Sequence, residues 1–421
     1  MPGSNDYGIA VDIGTTNITF YLVRLNNNHI ENRLLMRNPQ SFFGADVISR
    51  IRHSLVSHQH KLELVESIRE VVERGVEGLL EEVDVRPSRV SDVVIVGNTV
   101  MHHLFFDLSL DSLTRPPYQA SDKKAIHIDA SNIGLDILQK AECYSPPVVE
   151  SFIGPDAIAV LIASNYLDER SNQIVIDVGT NTEISVITPK GIWIVSAASG
   201  PAFEGMAIDC GIGGEIGAIN KVSVDSKTYR PMISVIGNSR PRGICGTGAV
   251  SAMASMLDAN LLLPHGSLNR DLNSKWLSFD GSIARYILEF PDNTTTGSAI
   301  YLAQTDIRML QQSKAAIRGA IEVVLMEANT KSSELTALFL TGVFGSDLQI
   351  EDAYRIGMFP HFKGIRIQQT PRGAVDGAAI LLKSENRLLA ESLVEELNYI
   401  ELTENEDFKR MYLESFPFPN R

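Results

Sequence analysis

The sequence predicts an α/β fold built from a duplicated unit. Strand-like apolar runs alternate with helical patterns along most of the 421 residues. Residues 7–23 (YGIAVDIGTTNITFYLV) and 172–188 (NQIVIDVGTNTEISVIT) share one pattern: an apolar run enters an Asp–x–Gly–Thr turn, and a β-branched run leaves it. The two aspartates, Asp12 and Asp177, lie 165 residues apart, and repetition at this domain-sized spacing indicates duplication.

Each of these two segments is predicted to be a hairpin, with a strand, a tight turn and a second strand. In the first half, the spacing of apolar residues predicts helices over 46–58, 61–83, 98–106 and 153–167, and a short buried strand over 92–97. In the second half it predicts helices over 246–263, 304–329 and 376–383, and a buried strand over 335–341.

Two segments, 109–150 and 264–303, are rich in Pro, Ser, Asn and Asp and are predicted to be irregular insertions. We therefore expect a first lobe over 1–170, a second lobe over 171–384, and a C-terminal helical tail over 385–421 at the surface.

Charge and hydropathy limit the possible partners. The net charge of −14 disfavours nucleic acid and anionic membranes. The first residues show no signal-peptide pattern, and the longest stretch without a charged residue, 243–257, is shorter than the roughly 20 residues that span a bilayer. These features predict a soluble, cytoplasmic protein.

Cysteine usage limits the possible cofactors. The sequence contains only Cys143, Cys210 and Cys245, and no two of them form a C-x-x-C pair. An ordinary Fe–S cluster needs four thiolates, so we expect none within one chain, and a disulfide scaffold is excluded.

The two turns have the chemistry of a polyphosphate clamp. Gly14 permits a backbone conformation closed to other residues, and the N–H groups and hydroxyls of a tight turn bind phosphate oxygens. Asp12 and Asp177, at the strand ends, suit a Mg²⁺ ion carried by that phosphate. The alternative is two ordinary hairpins that simply need glycine.

Two further segments are rich in small residues. Thr341–Ser346 (TGVFGS) follows a strand and allows close approach of a flat ring or ribose, although it also suits a plain strand-to-helix turn. Gly373–Ala379 (GAVDGAA) favours close helix–helix contact, and Gly154–Ala157 (GPDA) is its candidate counterpart in the first half.

The order DIGTTN, GPDA, DVGTNTE, TGVFGS, GAVDGAA resembles the superfamily of acetate and sugar kinases, Hsp70 and actin. That resemblance implies a duplicated actin-like, ribonuclease H-like fold with two lobes around a nucleotide cleft. The segments SFFGADVISRI (41–51), VGNTVMHHLFF (96–106) and SGPAFEG (199–205) are similar to one branch, the ATP-dependent reductive activators of corrinoid proteins. Members of this branch return an inactive Co(II) corrinoid to Co(I) during methyl transfer.

One departure from that branch is visible. Its members usually carry an Fe–S domain, whereas here the nucleotide module begins within ten residues of Met1 and the tail has no cysteine. We therefore expect the nucleotide module alone, with electrons from a separate Fe–S protein.

The resemblance assigns roles to individual residues. Asp12 and Asp177 hold Mg²⁺ through water, and Asp156 and Glu183 are candidate catalytic acids. Asp156 is alternatively a helix N-terminal acid, and Glu183 a solvent-facing strand residue. The residues assigned to the nucleotide are Gly14, Thr15, Thr16, Asn17, Gly179, Thr180, Asn181, Gly200, Gly205, Gly246, Gly248, Gly342 and Gly345.

Four other side chains have a purely structural interpretation as well as a functional one. His102 and His103 contact a partner or nucleotide, or are packed or capping histidines. Cys210 and Cys245 are redox-active or bridge a cluster across a dimer, or are small buried thiols.

The resemblance implies an ATPase that assists corrinoid reactivation in a methyltransferase system, with a corrinoid protein as partner, ATP and Mg²⁺ as cofactors, and a homodimeric state. A small-molecule kinase and a non-catalytic ATP-switched binding module are the alternatives. A third alternative is an activator of 2-hydroxyacyl-CoA dehydratases, which bridges a cluster between two subunits.

Overall fold

The computed structural model describes residues 6–44, 46–115, 118–165, 171–280 and 283–420. Ala45 of the 41–51 segment, the end of the helix predicted over 153–167 and the boundary predicted at residue 170 lie outside these ranges. Strands and helices alternate along the chain, which confirms the α/β class. Among the described residues, no helix combines the length and the apolar character needed to cross a membrane.

The strands, in chain order, are β1 Tyr7–Ile13, β2 Asn17–Arg24, β3 His29–Arg37, β4 Val90–Gly97, β5 Ile126–Asp129, β6 Glu142–Ser145, β7 Gln173–Val178, β8 Thr182–Thr188, β9 Gly191–Ala197, β10 Ala218–Val224, β11 Pro231–Val235, β12 Gly243–Ile244, β13 Leu277–Asp280, β14 Ile283–Glu289, β15 Ile300–Ala303, β16 Ala337–Thr341, β17 Arg366–Gln369 and β18 Leu397–Tyr399. The helices are α1 Val47–Ser54, α2 His58–Glu81, α3 Thr99–Phe105, α4 Pro155–Ala163, α5 Gly246–Asp258, α6 Gln304–Glu327, α7 Val343–Asp347, α8 Ile350–Arg355, α9 Gly373–Ile380, α10 Ser384–Glu396 and α11 Glu406–Glu414.

The first compact unit takes its described residues from 1–170 and 372–399. Its sheet has the strand order β3-β2-β1-β4-β6-β5. The predicted first hairpin is confirmed, because β1 and β2 pair antiparallel from Tyr7 and Arg24 to Ile13 and Ile18. Helix α2 buries one face at helical spacing, including Val65, Ile68, Val72, Val76 and Leu79, which is the pattern the sequence showed.

Residues 109–150 are more regular than predicted. They contain β5 and β6, and β6 pairs in parallel with β4 and so extends the sheet. Both strands have only four residues, too few for a clear alternation of apolar and polar positions.

The GAVDGAA helix makes the close helix–helix contact that its small residues predicted, and the structure shows that its neighbour is the GPDA helix. A β-carbon at Gly377 of α9 would lie 1.9 Å from the carbonyl oxygen of Ala159 in α4, so the two backbones touch. This contact places α9 in the first unit, whereas the sequence placed it in the second lobe.

The second compact unit takes its described residues from 171–371 and 400–421. The second hairpin is confirmed, since β7 and β8 pair antiparallel. Within this unit, β9, β8, β7, β16 and β17 are neighbours in that order. The pairs are antiparallel, antiparallel, parallel and parallel, as they are along β3, β2, β1, β4 and β6 of the first unit. This shared order confirms the duplication.

Residues 264–303 also contain regular structure, because β13, β14 and β15 form a three-stranded antiparallel sheet. Helix α5 ends at Asp258, five residues before the predicted end at 263. The chain turns there at Asn260, which has a φ of +55°.

Residues 400–421 are not a free surface extension. Tyr412 of α11 packs on Gly319 of α6, and Phe418 is buried. The fully buried Lys314 of α6 donates hydrogen bonds to the carbonyl oxygens of Ser415 and Pro417, the latter at 2.7 Å. The buried amino group of Lys314 therefore anchors this segment.

We expect opposite effects from one substitution at two helix glycines of the first unit. Gly377→Ala forces a methyl group into the α4 backbone and should lower the free energy of unfolding by about 3 kcal/mol, the upper end for overpacking. Gly78→Ala in α2 has no neighbouring atom closer than 3.9 Å and should raise this free energy by about 1 kcal/mol. Urea unfolding of both variants is the measurement, and equal effects would contradict the close helix contact.

Lys314 should also give the protein a pH-dependent stability. Burial lowers the pKa of Lys314 from 10.5 to about 7. Between these values the unfolded chain binds the proton and the folded chain does not, so the free energy of unfolding should rise as pH increases from about 7 to 10.5. Urea unfolding at several pH values measures this increase in the free energy of unfolding. Lys314→Met should remove the part of the increase that comes from Lys314. Lys363→Met, at an exposed position, is the control and should leave the increase unchanged.

Candidate functional site

The first turn, Gly14–Asn17, joins β1 to β2 and is partly exposed. Asp12 precedes it near the end of β1, between Thr19 of β2 and Val96 of β4. A β-carbon at Gly14 would lie 2.6 Å from the carbonyl oxygen of Asn17, closer than a β-carbon can approach. The tight turn therefore requires glycine at this position.

Side chains from three other segments hold the first turn. The carbonyl oxygen of Thr15 accepts from Arg50 Nη2 at 2.6 Å, and that of Gly14 accepts from Asn38 Nδ2 at 2.9 Å. Asn98 Nδ2 donates to Thr15 Oγ1 at 3.2 Å, while its Oδ1 caps α3. These bonds fix the turn before any ligand arrives.

Arg50 is a buried cation beside this turn. It is 0% exposed, and its Nε donates to the carbonyl oxygen of Gly44 at 3.0 Å. Its Nη1 lies 3.3 Å from Gln40 Oε1 and 3.2 Å from Met101 Sδ. Burial lowers the pKa of Arg50 to about 10, so the guanidinium stays charged at neutral pH and adds positive potential behind the turn.

Asp156 lies in the first turn of α4, where its Oδ1 accepts from the N–H of Ala157 at 2.9 Å. A β-carbon at Gly154, the N-cap of this helix, would lie 2.3 Å from the carbonyl oxygen of Gly97. One at Gly97 would lie 2.7 Å from that of Ile13. These close contacts bring the start of α4 against the carboxyl ends of β1 and β4, the edge that carries Asp12.

The second turn, Gly179–Asn181, joins β7 to β8 and so has the same place in the second unit, although it is one residue shorter than the first. The N–H of Gly179 donates to the carbonyl oxygen of Asn181 at 3.1 Å. Asp177 precedes the turn and is paired across the hairpin with Glu183, whose Oε1 accepts from Ser196 Oγ at 2.9 Å. Burial raises the pKa of Asp177 to about 6, a shift typical of functional carboxyl groups.

The SGPAFEG segment, Ser199–Gly205, lies directly against the second turn. Gly200 donates its N–H to the carbonyl oxygen of Thr180 at 2.9 Å, and Ser199 Oγ donates to that of Gly179 at 3.1 Å. Positive φ angles of +73° and +79° at Gly200 and Gly205 let the segment follow this path.

Glu204 is a site residue that the sequence analysis did not single out. Thr180 Oγ1 donates to Glu204 Oε1 at 2.6 Å, and burial raises the pKa of this carboxyl. Its position inside SGPAFEG was the available signal, but the pattern did not show which residue of the segment meets the turn.

Three of the predicted glycines complete this part of the second unit. A β-carbon at Gly342, where φ is +90°, would lie 2.3 Å from the carbonyl oxygen of Val178 and 3.1 Å from Asp177 Oδ1. At Gly246 it would lie 1.8 Å from the carbonyl oxygen of Phe203. Gly345 lies in the same TGVFGS turn, in α7. The second turn, SGPAFEG, the start of α5 and TGVFGS therefore converge.

Gly248 has a different neighbour from Gly246. A β-carbon there would lie 2.1 Å from the carbonyl oxygen of Ile219 in β10, so packing of α5 on that strand already requires glycine. The interpretation of His102 and His103 as packed residues is confirmed, because both rings are buried. Burial lowers the pKa of His102 to about 3 and that of His103 to about 4.

The support of the first turn can be tested with two arginines of α1. Arg50→Met leaves the carbonyl oxygens of Thr15 and Gly44 without this donor, and we expect the free energy of unfolding to fall by about 1–3 kcal/mol. Hydrogen exchange of residues 14–17 should become faster. Arg52→Met, at an exposed position of the same helix, should change neither measurement. Unchanged exchange in Arg50→Met would contradict the assigned role.

Comparisons with known proteins identify the fold and the family of the chain. Residues 171–421 match the C-terminal domain of RACo, the ASKHA domain, and residues 7–169 match the RACo middle region. A solved structure described as a reductive activator for corrinoid, iron-sulfur protein superposes with a TM-score of 0.89 at 24% identity, over 100% of this chain and 67% of that one. These matches confirm the actin-like fold.

Two curated relatives are similar in sequence. The corrinoid activation enzyme RamQ of Eubacterium limosum is 30% identical over 417 residues, which cover 97% of this chain and 69% of that protein. The Co(II) methylated amine-specific corrinoid protein reductase of Methanosarcina barkeri is 24% identical over 395 residues, 85% of this chain and 66% of that protein. The chain thus spans about two thirds of the length of each relative. Its resemblance to the corrinoid activators is confirmed, and the chain belongs to the RACo family.

Proposed function

We propose that this chain binds and hydrolyses ATP to assist the reductive reactivation of a corrinoid protein from Co(II) to Co(I). The observation that carries the proposal is the repeated site: each unit has an aspartate at a strand end followed by a Gly-Thr turn. Hydrogen bonds within each unit hold its turn. The chain also belongs to the RACo family. Two of its relatives are named for corrinoid activation and corrinoid protein reduction.

The donor set of the two turns fits a magnesium–polyphosphate ligand. Mg²⁺ prefers carboxylate and water oxygens, and Asp12 and Asp177 supply one carboxylate in each unit. Burial of Asp177 disfavours its charged form. A cation bound nearby would offset the free-energy cost of burying this charge. Mg²⁺ held by these carboxylates would neutralise phosphate charge, and the hydroxyls and N–H groups of the turns would orient the phosphate oxygens.

Phosphoryl transfer depends mainly on positioning and electrostatics, so no covalent nucleophile is needed. Asp156 and Glu183 are our candidates for orienting the attacking water, and Glu204 positions the second turn through Thr180. The nucleotide contacts are proposed for Gly14, Thr15, Thr16, Asn17, Gly179, Thr180, Asn181, Gly200, Gly205, Gly246, Gly248, Gly342 and Gly345.

The reduction itself adds one electron to Co(II), and we propose that this electron comes from a separate Fe–S protein. Cys143 and Cys245 are buried and Cys210 is half-buried, and all three are free thiols. ATP would act by favouring a conformation of the corrinoid complex in which reduction is feasible, which is a population shift. The proposed partners are a corrinoid protein of a methyltransferase system, the electron donor and a second copy of this chain.

Binding of Mg·ATP tests the two aspartates. Asp12→Asn and Asp177→Asn keep the side-chain size but remove the charge, so each should weaken the calorimetric affinity for Mg·ATP by about tenfold or more, equivalent to ~1.4 kcal/mol. Asp271→Asn, at an exposed position, is the matched control and should bind like the wild type. Undiminished binding in both site variants would contradict the assignment.

Reactivation is tested with a corrinoid protein held as Co(II) and an external reductant. Addition of the chain with Mg·ATP should restore the Co(I) absorbance, and omission of ATP should abolish the effect. The Asp12→Asn and Asp177→Asn variants should be slower. A phosphorylated small molecule as the product, or no ATP-dependent change with cognate corrinoid proteins, would overturn the proposed function.

A further inference from the structure

A cluster of two histidines and one glutamate lies where α1 meets α2. His53 is in the last turn of α1, and His60 and Glu63 are three residues apart at the start of α2. Each offers one ligand atom, and the three atoms lie within 4.8 Å of one another. Residues three apart on a helix project from the same face, which explains why His60 and Glu63 meet His53 together.

The hydrogen bonds of the cluster orient the ligand atoms. His53 Nε2 lies 3.2 Å from Glu63 Oε2, close to the separation of two ligands on one small metal ion. His60 Nδ1 lies 2.7 Å from Oγ of Ser57, the N-cap of α2. When Nδ1 carries the proton and donates it to Ser57, the lone pair of His60 Nε2 is available for a metal. Bonding of the second ring nitrogen in this way is typical of metal-binding histidines.

Position and packing favour a built site over chance proximity. The rings of His53 and His60 are 4.8 Å apart, and that of His53 is 5.0 Å from that of Phe43. All three ligand residues are partly buried, so the site is both accessible and held by its neighbours.

We propose that His53, His60 and Glu63 bind one Zn²⁺ ion. Two imidazole nitrogens and a carboxylate oxygen are a ligand set that zinc takes in proteins, with a water molecule in the fourth position. Imidazole ligands select against hard ions such as Mg²⁺, so this site is distinct in chemistry from the aspartates of the two turns. The site is inferred from its own geometry and does not depend on the proposed ATPase function.

Zinc at this position joins the end of α1 to the beginning of α2. Helix α1 also carries Arg50, which donates to the carbonyl oxygen of Thr15 one helical turn before His53. An ion bound to His53 therefore restrains the helix that holds the first turn.

The test is Zn²⁺ titration of the full chain by calorimetry, after chelator treatment and without an affinity tag or nucleotide. We expect one Zn²⁺ per chain and no displacement by Mg²⁺. His53→Ala, His60→Ala and Glu63→Gln should each weaken Zn²⁺ binding by more than about tenfold. Loss of a residue that only hydrogen-bonds to a metal ligand already lowers metal affinity by about this factor. His58→Ala removes an exposed histidine of the same segment and should not weaken binding.

A second readout is independent of affinity. Co²⁺ in place of Zn²⁺ should give visible ligand-field absorption that is lost in Glu63→Gln, a variant that retains side-chain size and hydrogen bonding to His53. Bound Zn²⁺ should also slow hydrogen exchange in α1. Absence of stoichiometric Zn²⁺ binding, or equal binding by the wild type and all three ligand variants, would overturn the proposal, as would equal losses in His58→Ala.

Discussion

At several of the described glycines a β-carbon would come within 2.3 Å of a backbone carbonyl oxygen in another element. Those that position the candidate site are Gly154, Gly246, Gly342 and Gly377. No side chain fits at such distances, so backbone contact rather than side-chain packing sets the distance between these elements. In the first unit this constraint seats α4 on the strand ends and α9 on α4. In the second unit it places TGVFGS and α5 beside the second turn. The candidate site residues depend on these contacts for their positions.

The two halves have a Gly-Thr turn at the same place in the sheet but support it with different chemistry. The first turn has a buried guanidinium, Arg50, among its supporting groups. The second is held by Ser199 and Gly200 and has a carboxyl group, Glu204, bonded to Thr180. Duplication therefore preserved the strand order and a Gly-Thr turn at the strand end, while the ionisable side chain that holds the turn is a guanidinium in one half and a carboxyl group in the other. The segments that carried the family resemblance, GADVISRI, GNTVMHH and SGPAFEG, include these supporting groups.

Strongly periodic segments were predictable from the sequence. The two hairpins and helices such as α2 and α6 have patterns long enough to be distinguished from chance. The four-residue strands β5 and β6 were not predictable, because their pairing with each other and with β4 comes from the tertiary fold. Arg50 and Arg52 look alike in a sequence, and only the packing of α1 shows that one is buried. Lys314 was hidden for the same reason, since its partners are main-chain carbonyls about a hundred residues later.

The path of the chain between the units has a consequence for how the protein is made. Residues 372–399 belong to the first unit, although the intervening segment 171–371 belongs to the second. During synthesis, α4 emerges long before the helix that covers its Ala159 face. The first unit is thus incomplete until the central segment has been translated. Neither unit can be obtained by cutting the gene once, because each is assembled from two separate stretches of polypeptide.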